Sequence, residues 1–128
     1  MKHDILADAF LIIKSTENAG KKECMVPASR IIGSVLKIIE DSEYIRKFEL
    51  IDDGKGGKYK VHLNGTINNC HVIKPRFSVK NDEFIKWEKR FLPASDIGIL
   101  LVTTSKGVMD HKKAKKEGLG GQLLGFVY

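Results

Sequence analysis

Residues 98–115 read GILLVTTSKGVMDHKKAK, and this stretch decides the fold of the second half of the chain. The aliphatic run Ile97–Val102 ends abruptly in hydroxyl residues, and a lysine-rich segment follows. A continuous apolar run of this length predicts a buried, central strand. The pattern after it predicts a helix over Asp110–Glu117, with Gly118 as its left-handed cap. The strand therefore delivers small hydrogen-bonding groups to a surface beside a basic helix.

Further strand and helix patterns flank this stretch in the second half. Phe84, Trp87 and Phe91 share one helical stripe, which predicts a helix around them. Pro75 cannot donate to a sheet ladder, so the run that contains it reads as an edge strand or a bulge. The predicted edge strand, helix and returning last strand cover Val72–Phe77, Asn81–Leu92 and Leu119–Tyr128.

The first half reads as helix, strand, helix, strand, strand. Apolar residues recur at helical spacing over Asp4–Ser15 and again up to about Asp41, where Ser29 is the expected N-cap. Thr16–Lys22 reads as a turn, and the glycine-rich segment Asp52–Lys58 joins the last two strands as a hairpin. The predicted strands of this half are Glu23–Val26, Phe48–Ile51 and Tyr59–Leu63.

The fold class that these patterns predict is α+β, with helices and sheet in two layers and two small lobes. The polar run NGTINN at 64–69 marks the boundary between lobes. An α-β-α-β-β lobe is expected over residues 1–66. A mostly antiparallel β lobe with one or two helices is expected over 67–128.

Charge is distributed unevenly along the 128 residues. The net charge is +6, and residues 74–128 account for +5 of it through 11 basic and 6 acidic groups. This concentration favours an anionic polymer as a partner of the second half. The start MKHDILADAF does not resemble a secretory signal, and no apolar run reaches the roughly 20 residues that span a bilayer. The chain is therefore expected in the cytoplasm, with reduced cysteines and no membrane partner.

Catalytic and metal-binding interpretations find weak support in the residue spacing. Ser105, Asp110 and His111 lie in one stretch, but no G-x-S-x-G elbow is present and lysines crowd the segment. No spacing typical of a metal site links the cysteines and histidines, and Lys58 is not followed by the Ser or Thr of a P-loop. We expect no enzyme activity, no cofactor and no metal. The potential metal ligands considered are Cys24, Cys70, His3, His62, His71 and His111.

The loop Thr103–Gly107 is the remaining candidate for function. Serine and threonine hydroxyls can bond base edges, ribose hydroxyls or phosphates, and glycine permits close approach of a backbone. Lysines on the following helix can lie along a phosphate ridge; these are Lys112, Lys113, Lys115 and Lys116. A polar strand end and a solvated helix face would account for the same residues.

The sequence resembles the family of ribosomal protein eight of the small subunit. Its signature matches Gly98, Leu101–Thr104, Gly107–Met109 and Ala114–Lys115, and the resemblance covers the whole chain. The Pro27–Ser29 start of the second helix, the segment Lys74–Phe77 and the pair Gly120–Gly121 also fall where the family has them. The long Lys80–Leu92 helix, the run Met109–His111 and the ending GGQLLGFVY are similar to the archaeal and eukaryotic branch.

The resemblance implies a structural protein that binds the central domain of small-subunit ribosomal RNA early in assembly, mainly through the second lobe. By position, the family's RNA-contacting loop matches Thr104, Ser105, Lys106 and Gly107. A second contact matches Gly120, Gly121 and Gln122, where bacterial members commonly carry glutamate in place of Gln122. Backbone contacts match Lys74 and Arg76, and weaker phosphate contacts match Lys14 and Arg30.

Partners follow from the same resemblance. They are the ribosomal RNA, neighbouring small-subunit proteins and, in some family members, their own messenger; the free chain is expected to be a monomer. The alternative class is a protein-interaction module in which the Phe84–Phe91 stripe and the aliphatic ending dock another ribosomal or assembly protein. Salt sensitivity of binding separates the two classes, because apolar docking is nearly indifferent to salt.

Overall fold

The chain is divided between two compact units in a computed structural model that describes residues 5–52, 54, 56–74, 76–94 and 97–128. The first unit ends at Asn69 and the second spans Cys70–Tyr128. Both combine helices with an antiparallel sheet, which confirms the predicted α+β class. No helix within the described ranges is long and apolar enough to cross a bilayer. Five residues used in the predictions lie outside the described residues: His3, Asp4, Asp53, Lys55 and Pro75.

The N-terminal unit follows the predicted order of helix, strand, helix, strand, strand. Strand β3 lies between β1 and β2 and pairs antiparallel with both. Its inward side chains Val61 and Leu63 are buried, as are Phe10 and Leu36 on the helices. The five elements are α1 (Ile5–Asn18), β1 (Glu23–Pro27), α2 (Arg30–Asp41), β2 (Ile45–Ile51) and β3 (Lys58–Leu63).

Helix α1 continues beyond the predicted turn at Thr16. The Thr16 hydroxyl donates to the Ile12 carbonyl at 2.7 Å, so this residue satisfies its polar group within the helix. The helix then closes at Gly20, whose φ of 72° suits the left-handed end of a helix. The expected N-cap of α2 is confirmed, because Ser29 Oγ accepts the Ile32 N–H at 3.2 Å.

The C-terminal unit is built on a sheet in which β6 lies between β8 and β7, as predicted for the central apolar strand. Strand β8 pairs with β6 on one side and with β4 and then β5 on the other. The seven elements are β4 (Cys70–Val72), β5 (Ser78–Val79), α3 (Phe84–Phe91), β6 (Ile99–Thr104), β7 (Gly107–Asp110), α4 (His111–Glu117) and β8 (Gly121–Val127).

The sequence patterns missed one strand and misplaced the limits of several elements. The central strand, predicted over Ile97–Val102, spans Ile99–Thr104, and β2 begins at Ile45 rather than at Phe48. Strand β7 pairs with β6 over Leu101–Thr104. It has only four residues, which is too short for a periodic pattern in the sequence to predict it. The predicted edge strand is two short strands, β4 and β5, that pair with different parts of β8. Helix α3 is shorter than Asn81–Leu92, and β8 begins at Gly121, two positions later than predicted at Leu119.

The hydrophobic core of this unit lies where α3 and α4 pack on the sheet. Phe84 and Leu100 are fully buried, and Trp87 is 6% exposed. Leu123 of β8 and Ala114 of α4 belong to the same cluster. This core fixes the end of β6, and with it the loop that the sequence singled out.

Candidate nucleic-acid interface

Three of the predicted contact residues of the C-terminal unit form a row at one end of its sheet. Thr104, the last residue of β6, pairs with Gly107 of β7 on one side and with Gly121 of β8 on the other. Gly121 in turn pairs with Val79 of β5. Two segments 14 or more residues apart in sequence are thus side by side, and we call Gly107, Thr104 and Gly121 the edge row.

Ser105 and Lys106 form a tight turn between β6 and β7. The Thr104 hydroxyl accepts the Lys106 N–H at 3.1 Å and donates to the Gly107 carbonyl at 2.8 Å. Gly107 has a φ of 107°, which strongly favours glycine. The exposed Ser105 hydroxyl has no hydrogen-bond partner among the described residues. Thr104 therefore shapes the turn, and Ser105 is the hydroxyl left available to a ligand.

Only glycine fits at the two positions before Gln122, because backbone atoms of neighbouring segments lie too close for a side chain. A Cβ on Gly120 would stand 2.5 Å from the Val79 carbonyl oxygen, and one on Gly121 would overlap the carbonyl oxygen of Thr103. Any side chain here would push β8 away from its neighbours. Gln122 is exposed and pairs with Thr103 and Ser78, so it supplies the available side chain at this end of β8.

Helix α4 carries lysines where helix stability would favour acids. Its N-cap is Asp110, whose Oδ1 accepts the Lys113 N–H at 2.7 Å, and Gly118 closes it at a φ of 69°, as predicted. Exposed Lys112 and Lys113 lie in the first turn, where the positive end of the helix dipole opposes cations. The helix dipole therefore does not account for their placement. Three residues connect the end of α4 to the start of β8 at Gly121.

A buried polar network joins α3, α4 and β6 beneath this surface. His111 is fully buried; its Nδ1 accepts the Leu100 N–H at 3.0 Å, and its Nε2 lies 2.8 Å from Glu88 Oε1. Lys115 Nζ also approaches Glu88 Oε1 at 3.2 Å. Burial lowers the pKa of His111, although Glu88 and Asp110 oppose this shift. Because Nδ1 accepts the Leu100 N–H, that nitrogen carries no proton and the ring proton lies on Nε2. The ring thereby holds α4 against the sheet.

Sequence reasoning did not find this network. It weighed His111 as a base or a metal ligand, and it did not consider Glu88. A usable signal was present, because Glu88 lies four positions after Phe84 and so falls on the buried side of the predicted helix. A carboxylate on a buried face requires a partner, and His111 and Lys115 supply it.

The remaining predicted contact residues are more dispersed. Lys74 and Arg76 are exposed in the connection between β4 and β5, so they belong to the same unit as the edge row. Lys14 is half-buried on α1, and Arg30 is exposed as the first residue of α2. Both belong to the N-terminal unit, so neither is part of the edge row.

The competing site interpretations do not fit the geometry. Ser105 is at the tip of the hairpin, whereas Asp110 is at the opposite end of β7 and His111 is buried. The nucleophile-and-base interpretation is therefore wrong. The described parts of the chain bring together no group of three or more potential metal ligands.

The protein-docking interpretation also does not fit the geometry, because most of the apolar residues that it uses are buried. Phe84 is fully buried and Trp87 nearly so, because this stripe of α3 packs into the core of the C-terminal unit. Leu123, Leu124 and Val127 of the aliphatic ending are also buried. The predicted apolar patch is therefore a core and presents little to a partner.

Comparisons with known proteins agree on one family. Residues 4–128 match the family model described as Ribosomal protein S8. Small ribosomal subunit protein uS8 of Thermoplasma acidophilum is 54% identical, and its namesake in Thermoplasma volcanium is 52% identical; each comparison covers 100% of both chains. The protein of the same name in Methanosphaerula palustris is 46% identical over 99% of this chain and 98% of its own length.

Proposed function

Because this chain belongs to the ribosomal protein S8 family, we propose that it binds the central domain of small-subunit ribosomal RNA and is needed for assembly of that subunit. The chain is a structural component of the small ribosomal subunit in the cytoplasm, and the family is structural rather than enzymatic. The proposal concerns the RNA region, the contact residues and the role in assembly.

The edge row is the observation that carries the proposal. It places the free Ser105 hydroxyl beside the start of β8, where Gly120 and Gly121 have no side chains. A surface with small groups and exposed backbone can approach a folded nucleic acid closely, where a long side chain would collide. Gln122 adds an amide that both donates and accepts hydrogen bonds.

This surface suits an irregular RNA helix. A-form RNA hides base edges in a deep, narrow major groove and displays 2′-hydroxyls and base edges in its shallow minor groove. Ser105 and Gln122 can bond those groups where the helix is distorted. Regular duplex presents the same hydroxyls in another shape, so recognition depends on the distortion.

Lysines of the C-terminal unit would supply the affinity that does not depend on sequence. Lys106 lies in the turn itself, and Lys112 and Lys113 are exposed on α4. Each phosphate that a lysine neutralises releases counterions and steepens the salt dependence of binding. Lys74, Arg76, Lys14 and Arg30 are further candidates for phosphate contacts. We expect the Ser105 hydroxyl and the Gln122 amide to recognise the shape of the RNA, while the lysines fix the position of the protein along it.

Binding of the purified chain to separate transcripts of the RNA domains tests the proposal. We expect a retarded complex with the central domain in a gel-shift assay at low salt, and much weaker complexes with the other domains. The affinity should fall steeply as salt rises. A well-folded chain that shows no preference for the central domain would contradict the assignment. Sedimentation of the same sample tests the expected monomer, and a transcript of its own messenger tests autoregulation.

A further inference from the structure

The outward face of α3 has a chemistry that the RNA surface does not use. Its exposed side chains are Ile85, Lys86, Lys89 and Arg90. The one acid of the helix, Glu88, is buried against His111 and Lys115. The face therefore carries three cations and one isoleucine that is 57% exposed, and we call it the α3 face.

Arg90 is held on a layer of aromatic rings. Its guanidinium carbon lies 5.4 Å from the ring centroids of Phe77, Trp87 and Phe91. These rings are nearly parallel, with Phe77 and Trp87 stacked at 4.8 Å and Trp87 and Phe91 at 6.0 Å. A guanidinium positioned by rings loses less freedom on binding and presents its N–H groups in a fixed fork.

Neither cation above Trp87 is neutralised within the described part of the chain. Lys86 Nζ lies 5.0 Å from the Trp87 centroid, and no acid pairs with Lys86 or Arg90 among the described residues. These two positions are four apart on the helix, a spacing at which like charges repel. The helix dipole favours Lys89 and Arg90 in the last turn, but it accounts neither for Lys86 nor for the placement of Arg90 on rings.

Two features of the α3 face favour a protein over RNA as its ligand. Exposed Ile85 lies one turn from Lys89, so an apolar contact adjoins a cationic one, and a phosphate backbone has no use for the apolar part. Arginine is also among the residues that most often dominate protein interfaces, and a carboxylate fits the fork of a guanidinium with two bonds.

We propose that the α3 face binds an acidic segment of a neighbouring protein, with carboxylates on Arg90 and Lys86 and an aliphatic side chain against Ile85. This surface is separate from the edge row and differs from the buried stripe of the same helix. Its ligand is a protein rather than RNA, so the two surfaces can be tested independently.

Trp87 is the single tryptophan of the chain and reports directly on this face. We expect a short tryptophan-free peptide of alternating glutamate and leucine to change Trp87 fluorescence saturably. Arg90→Ala should weaken the peptide about tenfold, as for loss of a charge-assisted pair. Lys112→Ala, the charge-matched control on α4, should leave peptide binding unchanged. A peptide with serine in place of leucine should bind the normal chain more weakly than the leucine peptide does. The two peptides should bind an Ile85→Ser variant with equal affinity.

A regular RNA duplex provides the opposing probe. The proposal is wrong if the acidic peptide leaves Trp87 fluorescence unchanged, or if the duplex changes it in an Arg90-dependent way. In purified small subunits, a photoreactive benzoylphenylalanine in place of Ile85 should crosslink to an acidic protein segment. An RNA adduct, an adduct to a basic segment, or no adduct would overturn the assignment.

Discussion

Ser105 is the residue at which the proposed shape recognition can be measured. Its hydroxyl is exposed and has no partner among the described residues, so Ser105→Ala removes the proposed ligand contact without disturbing the turn. We expect the substitution to weaken binding to the cognate RNA by about 1–3 kcal/mol, as for a specific contact, and to leave regular duplex RNA unaffected. Parallel gel-shift titrations with both RNAs give the comparison. Ser34→Ala, at an exposed position of α2, is the matched control. Equal losses on both RNAs would contradict shape recognition.

His111 makes the stability of the C-terminal unit depend on pH. Burial lowers its pKa below the ordinary value of 6.5, so the unfolded chain binds a proton more readily than the folded chain. The stabilising contribution is therefore complete above that ordinary value and is lost as the pH falls through it toward the lower folded pKa. Protonation of His111 Nδ1 would also break the hydrogen bond that this nitrogen accepts from the Leu100 N–H.

We accordingly expect the free energy of unfolding to decrease as the pH falls from about 7 to about 5. Urea denaturation across this range measures the effect. The variant His111→Gln should be less stable at neutral pH and should show a smaller pH slope. His71→Gln replaces an exposed histidine and should keep the slope of the normal chain. A slope that survives in His111→Gln would show that another group is responsible.

At the scale of elements, the lysines in the first turn of α4 add positive charge to the surface and lower the stability of the helix. Lys112 and Lys113 occupy its first turn against the helix dipole. We expect the double variant Lys112→Ala, Lys113→Ala to raise the free energy of unfolding by about 0.3–1 kcal/mol for each charge removed from the first turn. The same variant should lower affinity for all RNAs and flatten the log–log salt slope by roughly one unit for each phosphate that is no longer neutralised.

Thermal unfolding and salt titrations of one preparation measure both effects. Lys37→Ala on α2 is the control, because Lys37 pairs with Glu40 and Asp41 on the helix surface. That substitution should leave the salt slope unchanged. An unchanged slope in the α4 double variant would show that both lysines only face solvent.

Strand β8 can join the sheet only because its first residue has no side chain. Gly121→Ala would place a Cβ on the Thr103 carbonyl oxygen, and the strand would have to move to make room. We expect a loss of about 1–3 kcal/mol, typical of overpacking, together with weaker RNA binding because Gln122 and the edge row shift. Gly20→Ala meets no neighbouring atom and should cost only about 1–2 kcal/mol from its left-handed backbone, with RNA binding unchanged. Denaturation and gel-shift assays separate these outcomes.

At the scale of the whole molecule, residues 74–128 hold +5 of the net charge of +6. Alanine at Lys106, Lys112, Lys113 and Lys116 should therefore reduce RNA affinity far more than alanine at an equal number of N-terminal lysines. The salt slope should fall by up to about 0.7–0.9 for each phosphate left without its lysine. The control set is Lys21, Lys22, Lys47 and Lys60. Equal losses from both sets, in salt titrations of correctly folded variants, would show that charge alone drives binding.

Much of this molecule follows from the order of its residues. A period of 3.6 predicted both N-terminal helices, because burial of one helix face fixes that repeat. A continuous apolar run predicted the central strand β6, because such a strand is buried on both faces. Cap residues predicted the limits of α2 and α4, because Ser29 and Gly118 satisfy backbone groups within their own segments. The family signature lies on the same local stretch, from Gly98 to Lys115.

Other features exist only after the chain has folded. The edge row joins Thr104 to Gly121 by strand pairing, and strand β7 forms only because β6 offers it a partner. The division of roles between Thr104 and Ser105 depends on hydrogen bonds that form only within the folded turn. The pairing of Glu88 with His111 joins groups that sequence spacing does not connect. Local propensity determines which element each segment forms, whereas long-range packing decides which groups remain free to bind a ligand.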